Sequence, residues 1–262
     1  MPTEAAALFL FAHQDDEFGV FARIAECRRQ GLRVACAYLT DGATAAATAE
    51  RRNAESLAVL ARLGVARADV RFAGQELGVK DARLPLHLAA AEKWIDAWID
   101  AWTAGFGQVD SLHVTAWEGG HHDHDALHAL AVCAASRHGL LARTWQYSLY
   151  QAAGLPGPLF RVLAPLPQNG PVCARKIPWG ERLNYLRLCL SYPSQRSTWL
   201  GLFPFVLLHY LLHGVQTLQK VDPQRLQERP HAGALYYEKR QFFTWDTMNE
   251  ALRAWRAASL PP

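Results

Sequence analysis

The 262-residue chain has only five cysteines, an odd number spread from Cys27 to Cys189, and no two of them form a C-x-x-C pair. Neither a disulfide framework nor a thiolate zinc knuckle is expected, and a reducing compartment, the cytoplasm, fits best. Long apolar runs are also missing. Trp199 to Leu212 is almost wholly apolar, but it contains Pro204 and His209 and falls short of the roughly 20 residues that span a bilayer. Two readings of it stand: a buried helix, or an interfacial segment, peripheral to a membrane, that approaches a lipid-linked substrate. The first residues carry no basic segment, and their apolar run ends at His13, so no secretory signal is expected. Charge of one sign is scarce: 27 Lys and Arg against 24 Asp and Glu leave a formal +3, with the basic residues dispersed, which gives no ground for a nucleic-acid partner. There is no internal repeat or low-complexity tract, and no Gly-rich phosphate loop follows the first apolar run.

What is present is a globular composition, half apolar and 19% charged, long enough to bury a large core. One domain over 1–262 is expected, with a core at about 5–150 and a C-terminal elaboration at about 151–262 that roofs the sheet. The first half alternates. Ala7 to Phe11 and Leu32 to Leu39 are strand-like, with a helical pattern from Glu17 to Arg29 between them; a helix from about Ala47 to Leu63 leads to a strand at Val70 to Phe72. Leu88, Ala91, Ile95, Trp98 and Trp102 fall three or four apart, predicting one face of a helix over Leu84 to Trp102. A strand at Leu112 to Ala116 precedes an alanine-rich helix from Asp123 to Arg137. The rhythm predicts an α/β fold with a Rossmann-like, mainly parallel sheet flanked by helices. Beyond Leu140 the pattern loosens: a strand at Thr144 to Tyr150, a loop at Gly154 to Pro171, helices near Arg182 to Leu190 and Leu202 to Leu212, and an irregular end.

Two clusters stand at predicted strand ends, where open α/β sheets place their chemistry. His13-Gln14-Asp15-Asp16-Glu17 follows the first strand, and Gly119-Gly120-His121-His122-Asp123-His124 follows the strand at Leu112 to Ala116. A catalytic zinc site needs three N/O ligands and one open position. His13 and Asp16, three apart across a turn into a helix, together with His124, meet that count for one Zn2+ per chain. Asp15 is then left beside the metal as the general base. An acid-rich helix start explains the first cluster without a metal, but it does not explain the second. His128 shares the face of His124 and is either a supporting residue or a surface one. His209 and His213 lack the Glu of a zincin helix, so a second metal is not expected there.

At these residues the chain resembles the PIG-L or LmbE-like zinc-dependent N-deacetylases, whose hallmarks are A-H-P-D-D-E after the first strand and H-x-D-H after a later one. Ala12 to Glu17 and His121 to His124 match in order and context. Arg52 and Glu55, Thr40-Asp41-Gly42, and Lys176 with Tyr192-Pro193-Ser194-Gln195 resemble further family segments, so the likeness touches the chain from about Leu8 to Gln195. The resemblance implies zinc on His13, Asp16 and His124, with Asp15 as base. It also implies that His121, oriented by Asp123, stabilises the tetrahedral intermediate or protonates the leaving amine. Arg52 and Asp41 would bind substrate, although Arg52 can equally pair with Glu55. Gln14 and His122 stand where the family usually has Pro, and both are expected to contact substrate.

The expected function is hydrolysis of an N-acetyl group from an amino sugar or glycoconjugate, free or lipid-linked, with release of acetate. The alternatives are an amidase of the same family acting on a larger acyl group, and a non-catalytic sugar- or nucleotide-binding module on the same sheet. A two-metal phosphoesterase is disfavoured because it needs more ligands.

Overall fold

The computed structural model describes residues 5–45 and 47–259. In chain order its elements are β1 (Ala6–Phe11), α1 (Phe21–Arg29), β2 (Arg33–Tyr38), α2 (Ala49–Arg62), β3 (Val70–Arg71), α3 (Ala73–Leu77), α4 (Leu88–Phe106), β4 (Val109–Thr115), α5 (His122–Arg137), β5 (Thr144–Tyr147), β6 (Tyr150–Gln151), β7 (Arg161–Val162), β8 (Val172–Lys176), α6 (Trp179–Cys189), α7 (Arg196–Leu212), β9 (Val215–Lys220), α8 (Tyr236–Lys239) and α9 (Trp245–Ser259). Seven strands form one sheet in the order β3-β2-β1-β4-β5-β9-β8. The first five are parallel; β9 and β8 are added antiparallel.

Every residue of β1 is buried, as a parallel strand covered by helices on both faces requires. Alternation splits its side chains between two cores. Ala6, Leu8 and Leu10 pack with α4, α5 and α9. Ala7, Phe9 and Phe11 pack with α1, α2, α6 and α7. Strand order reverses direction at β1, whose neighbours are β2 on one side and β4 on the other. Ligand crevices form at such a switch point, outside the carboxyl ends of the strands, and both His-rich clusters emerge there.

Several sequence expectations shift. The helix expected from Glu17 begins as a 3-10 turn, Asp16–Gly19, before α1. The strand expected at Thr144 to Tyr150 is divided between β5 and β6, and β6 pairs with β7 inside the segment expected to be a loop. β8 was not foreseen because it is an exposed edge strand, Val-Cys-Ala-Arg-Lys, with no buried face to impose alternation. The end is not irregular: α9 buries Trp245, Met248, Leu252 and Trp255, three or four apart, against the first core. None of the five cysteines is in a disulfide. Among the described residues no helix is long and apolar enough to cross a membrane.

Candidate metal centre

The turn after β1 is strained and firmly held. Asp15 has φ 134° and ψ −10°, a conformation that L side chains rarely adopt; such a residue costs about 1–3 kcal/mol and persists only where its surroundings impose it. Its N–H donates to Glu17 Oε2 (2.8 Å), and the fully buried Glu17 accepts from the Tyr38 hydroxyl through Oε1. The Asp16 carboxylate turns back to accept from the N–H groups of Ala12 (3.0 Å) and His13 (2.8 Å). Gln14, in place of a ring-constrained proline, bolts the turn to its neighbours. Its Nε2 donates to Asn53 Oδ1 (2.8 Å) and lies 3.3 Å from the carbonyls of Thr40 and Asp41.

The second cluster starts α5 one strand away, Phe9 lying beside His113 in the parallel pair. His121 caps the helix, its Nδ1 accepting from the N–H of Asp123 (3.1 Å). Gly120 must be glycine, because a Cβ there would stand 2.1 Å from the carbonyl oxygen of Tyr150. Asp125 Oδ1 accepts from the N–H groups of Glu118 (3.3 Å) and Gly119 (3.1 Å) and closes the loop.

The two loops meet. His13 Nδ1 lies 3.2 Å from His124 Nε2, Asp16 Oδ1 lies 3.1 Å from that same nitrogen, and Asp16 Oδ2 lies 3.7 Å from His13 Nδ1. Ligands 2.0–2.2 Å from a tetrahedral zinc stand about 3.3–3.6 Å apart, so the donor set and its spacing fit one such ion. The opposite side of the His13 ring is held by Asp123, whose Oδ2 lies 3.0 Å from Nε2 and accepts from the N–H of Ala82 (2.7 Å); its Oδ1 accepts from the N–H of Leu84 (3.0 Å). A carboxylate behind a ligating imidazole sets its tautomer and orientation. Asp123 thus orients His13 with its carboxylate and meets His121 only through its backbone N–H, which corrects the expectation that it orients His121.

The electrostatics favour a cation. Burial lowers His13, but the carboxylates of Asp81, Asp123 and Asp16 outweigh it and raise the imidazole well above its ordinary range. Asp16 is held well below the ordinary carboxylate range, against burial, by His124 and His13. Burial pushes Asp15 up to about 7, although Arg52 opposes it. His121 is lowered well below 6.5 by burial and by His13, His122 and His124.

A cavity of about 460 Å³ opens over the centre, a size typical of small-molecule sites. His13, Asp15, Asp16 and His121 form its floor, Arg52, Asp81, Gln195, Ser197 and Thr198 a polar wall, and Phe18, Tyr150, Phe160, Leu202, Tyr236 and Phe242 an apolar wall. Arg52 does not pair with Glu55. Its Nη2 lies 3.2 Å from Asp15 and its Nη1 3.1 Å from Asp81, while Arg51 lies near Glu55 (3.4 Å) and Glu55 accepts from Ser194. The R-x-x-E and Y-x-S-Q segments therefore meet.

Three residues expected to contact substrate do not reach the cavity. Gln14 is spent inside the turn. His122 stacks on Phe243 (4.5 Å between rings), with Nε2 3.0 Å from the Ala82 carbonyl. Asp41 accepts from the N–H groups of Ala43 (2.9 Å) and Asp81 (3.2 Å), so it shapes the loop that carries Asp81. His128 is a core residue, its Nδ1 2.8 Å from the Thr115 carbonyl, and His209 is held by the Val215 carbonyl (2.9 Å). Lys176 lies on exposed β8. Sequence reasoning missed Asp81, Tyr150 and Tyr236; the first sits in an aperiodic loop, and no local pattern marks any of them.

Residues 8–135 match the sequence model of the family described as PIG-L: GlcNAc-PI de-N-acetylase. No curated protein sequence matches the chain. Among solved structures the chain is similar to a deacetylase from the biosynthesis pathway of teicoplanin, with 19% identity over 82% of this chain and 97% of that one and a TM-score of 0.62. It is also similar to a zinc-inhibited form of a teicoplanin deacetylase (17% identity, 82% and 97% covered, TM-score 0.60). A third is the N,N'-diacetylchitobiose deacetylase of Pyrococcus horikoshii (16% identity, 87% of each chain, TM-score 0.59). At these identities the likeness establishes the fold.

Proposed function

From the premise that the chain carries a PIG-L family domain over residues 8–135, we propose that the protein is a metal-dependent N-deacetylase that removes the acetyl group from an N-acetyl amino sugar or a glycoconjugate bearing one. The single observation that carries this reading is the convergence of His13 Nδ1, Asp16 and His124 Nε2, with Asp15 beside them on the floor of an open cavity. One zinc ion per chain, held by these three residues, would supply Lewis acidity toward the amide carbonyl and acidify water. Fold-level likeness to deacetylases of glycosylated compounds supports the substrate class.

Asp15 takes the proton from the attacking water and returns it to the departing amine, since an amide anion leaves too poorly without one. The strained φ of Asp15 and its contact with Arg52 aim the carboxylate at the cavity floor. His121 serves the carbonyl oxygen. Its Nδ1 accepts the Asp123 N–H and is therefore unprotonated, which leaves the ring proton on Nε2 as a neutral donor to the developing oxyanion. Arg52 and Asp81, an ion pair beside the floor, offer a donor and an acceptor to vicinal sugar hydroxyls, and Tyr150 and Tyr236 offer ring faces. The five unpaired cysteines suit a cytoplasmic setting.

A second reading, an amidase for a longer acyl group, is favoured by the apolar wall of Phe18, Phe160 and Leu202. Acetate release from N-acetylglucosamine derivatives, with and without a chelator, tests the first reading against matched longer N-acyl derivatives. Chelator-sensitive acetate release is expected. Cleavage of the longer amides alone would replace the first reading with the second, and cleavage of neither by zinc-loaded protein would overturn both.

A further inference from the structure

Helix α7 presents a stripe that no described residue covers. Leu200, Pro204, Phe205, Leu208, Leu211 and Leu212 are all exposed, Leu200 by 81% and Leu212 by 72%. At about 100° per residue they fall within one sector of roughly 140°. The opposite face, Trp199, Leu202, Val206 and Tyr210, is buried in the second core. The stripe is therefore an outward face in addition to the packing face, whereas a surface helix ordinarily turns polar residues to water. It continues to the end of α6, where Leu190, the residue after the helix, is 63% exposed and shares with Arg196 and Leu200 a groove of about 310 Å³.

Charge indicates the occupant. From residue 182 to 221 there is no Asp or Glu, while Arg182, Arg187, Arg196 and Lys220 are all basic. Arg187 and Arg196 are exposed and enter no ion pair among the described residues. The acids that bound this segment are engaged, Glu181 with Arg29 (2.9 Å) and Asp222 with the N–H of Gln224 (2.9 Å), as is Glu55 with Ser194 and Arg51. An apolar stripe with the exposed cations Arg187 and Arg196 beside it is complementary to an anionic lipid surface. The stripe also reaches the cavity mouth, since Ser197 and Gly201 of α7 line the cavity and Phe205 packs on Phe160 of its wall (5.0 Å between rings).

We propose that the α6–α7 face docks on an anionic bilayer, with the leucine stripe inserted at the headgroup boundary and the cavity mouth turned toward the membrane surface. This inference stands apart from the deacetylase reading, because lipid binding is measured without turnover.

The experiment sediments the full chain with vesicles of phosphatidylcholine alone or mixed with phosphatidylglycerol, beside Leu200→Glu/Leu208→Glu and Arg187→Glu/Arg196→Glu variants. Thermal melting and far-ultraviolet circular dichroism at the wild-type level certify that the variants are folded. The parent chain is expected to bind the anionic vesicles, the leucine variant to bind them about tenfold or more weakly, and the arginine variant to lose the preference for phosphatidylglycerol. Equal sedimentation of parent and leucine variant overturns the proposal. So does a lipid-independent dimer that the leucine substitutions dissociate, which would make the stripe a contact between two copies of the chain.

Discussion

Asp15 and Asp123 are both buried carboxylates at the candidate metal centre, and their partners differ. Asp15 lines the cavity and is not one of the proposed ligands, so Asp15→Asn should retain zinc by elemental analysis while kcat falls by about 10²–10⁴-fold, the usual range for a lost acid–base group. Normal turnover by that variant would remove Asp15 as the base. Asp123 stands behind His13 at 3.0 Å, so Asp123→Asn should weaken metal affinity by about 10–100-fold in a chelator competition while the zinc-saturated enzyme keeps much of its activity. Asp81 pairs with Arg52 on the polar wall, and Asp81→Ala should raise KM more than it lowers kcat. The His13, Asp16 and His124 cluster was legible in the sequence because H-x-x-D and H-x-D-H are local patterns. Gln14, His122 and Asp41 were not correctly placed, because adjacency in a motif does not say which way a side chain points. Asp81 was not foreseen because its loop is aperiodic and reaches the site only through the fold.

Elements are joined to the site by short, specific contacts. Gly74, in α3, abuts the chain after β2, where an added Cβ would lie 2.1 Å from the Thr40 carbonyl carbon and 2.3 Å from its Cα. Backbone cannot yield as a side chain does, so Gly74→Ala should destabilise by about 1–3 kcal/mol in urea unfolding. Gly105→Ala, in α4 with no atom near its Cβ position, should be neutral or slightly stabilising. Glu118 ties the loop after β4 to the chain after β5, accepting from the N–H groups of Leu149 (2.7 Å) and Tyr150 (3.0 Å). Burial pushes it from 4.5 up to about 8 against those donors. A carboxyl raised on folding contributes stability that is complete below about pH 4.5 and is lost as pH rises through about 8. Glu118→Gln should therefore show a flatter fall in stability between pH 5 and 9 than the parent, the two profiles differing by a few kcal/mol across that window. Parallel profiles would show that Glu118 is already ionised in the fold.

At the scale of the whole molecule, the seven-stranded sheet carries the β1–β4 switch point at its centre and the late strands β9 and β8 at one edge. The last helix closes the first core: Met248 and Leu252 of α9 are buried against α4 and α5. Substituting either by Ala should cost about 2–5 kcal/mol and lower the melting temperature, with metal affinity unchanged in the folded population. An effect confined to the metal would show that α9 belongs to the site and not to the core.

The sequence by itself determined the βαβ rhythm of β1 to α5, the two His- and Asp-rich clusters at strand ends and the extra carboxylate of Asp15 between His13 and Asp16, since period and motif are local properties of a chain. Only the tertiary structure decided that β1 and β4 are neighbours, so that His13, Asp16 and His124 share one point. It also decided that Asp123 supports His13, that Arg52 binds Asp15 and Asp81, and that the apolar segment of α7 buries one face and leaves the other bare. Those outcomes depend on which elements lie side by side, and that is set by packing summed over the whole chain.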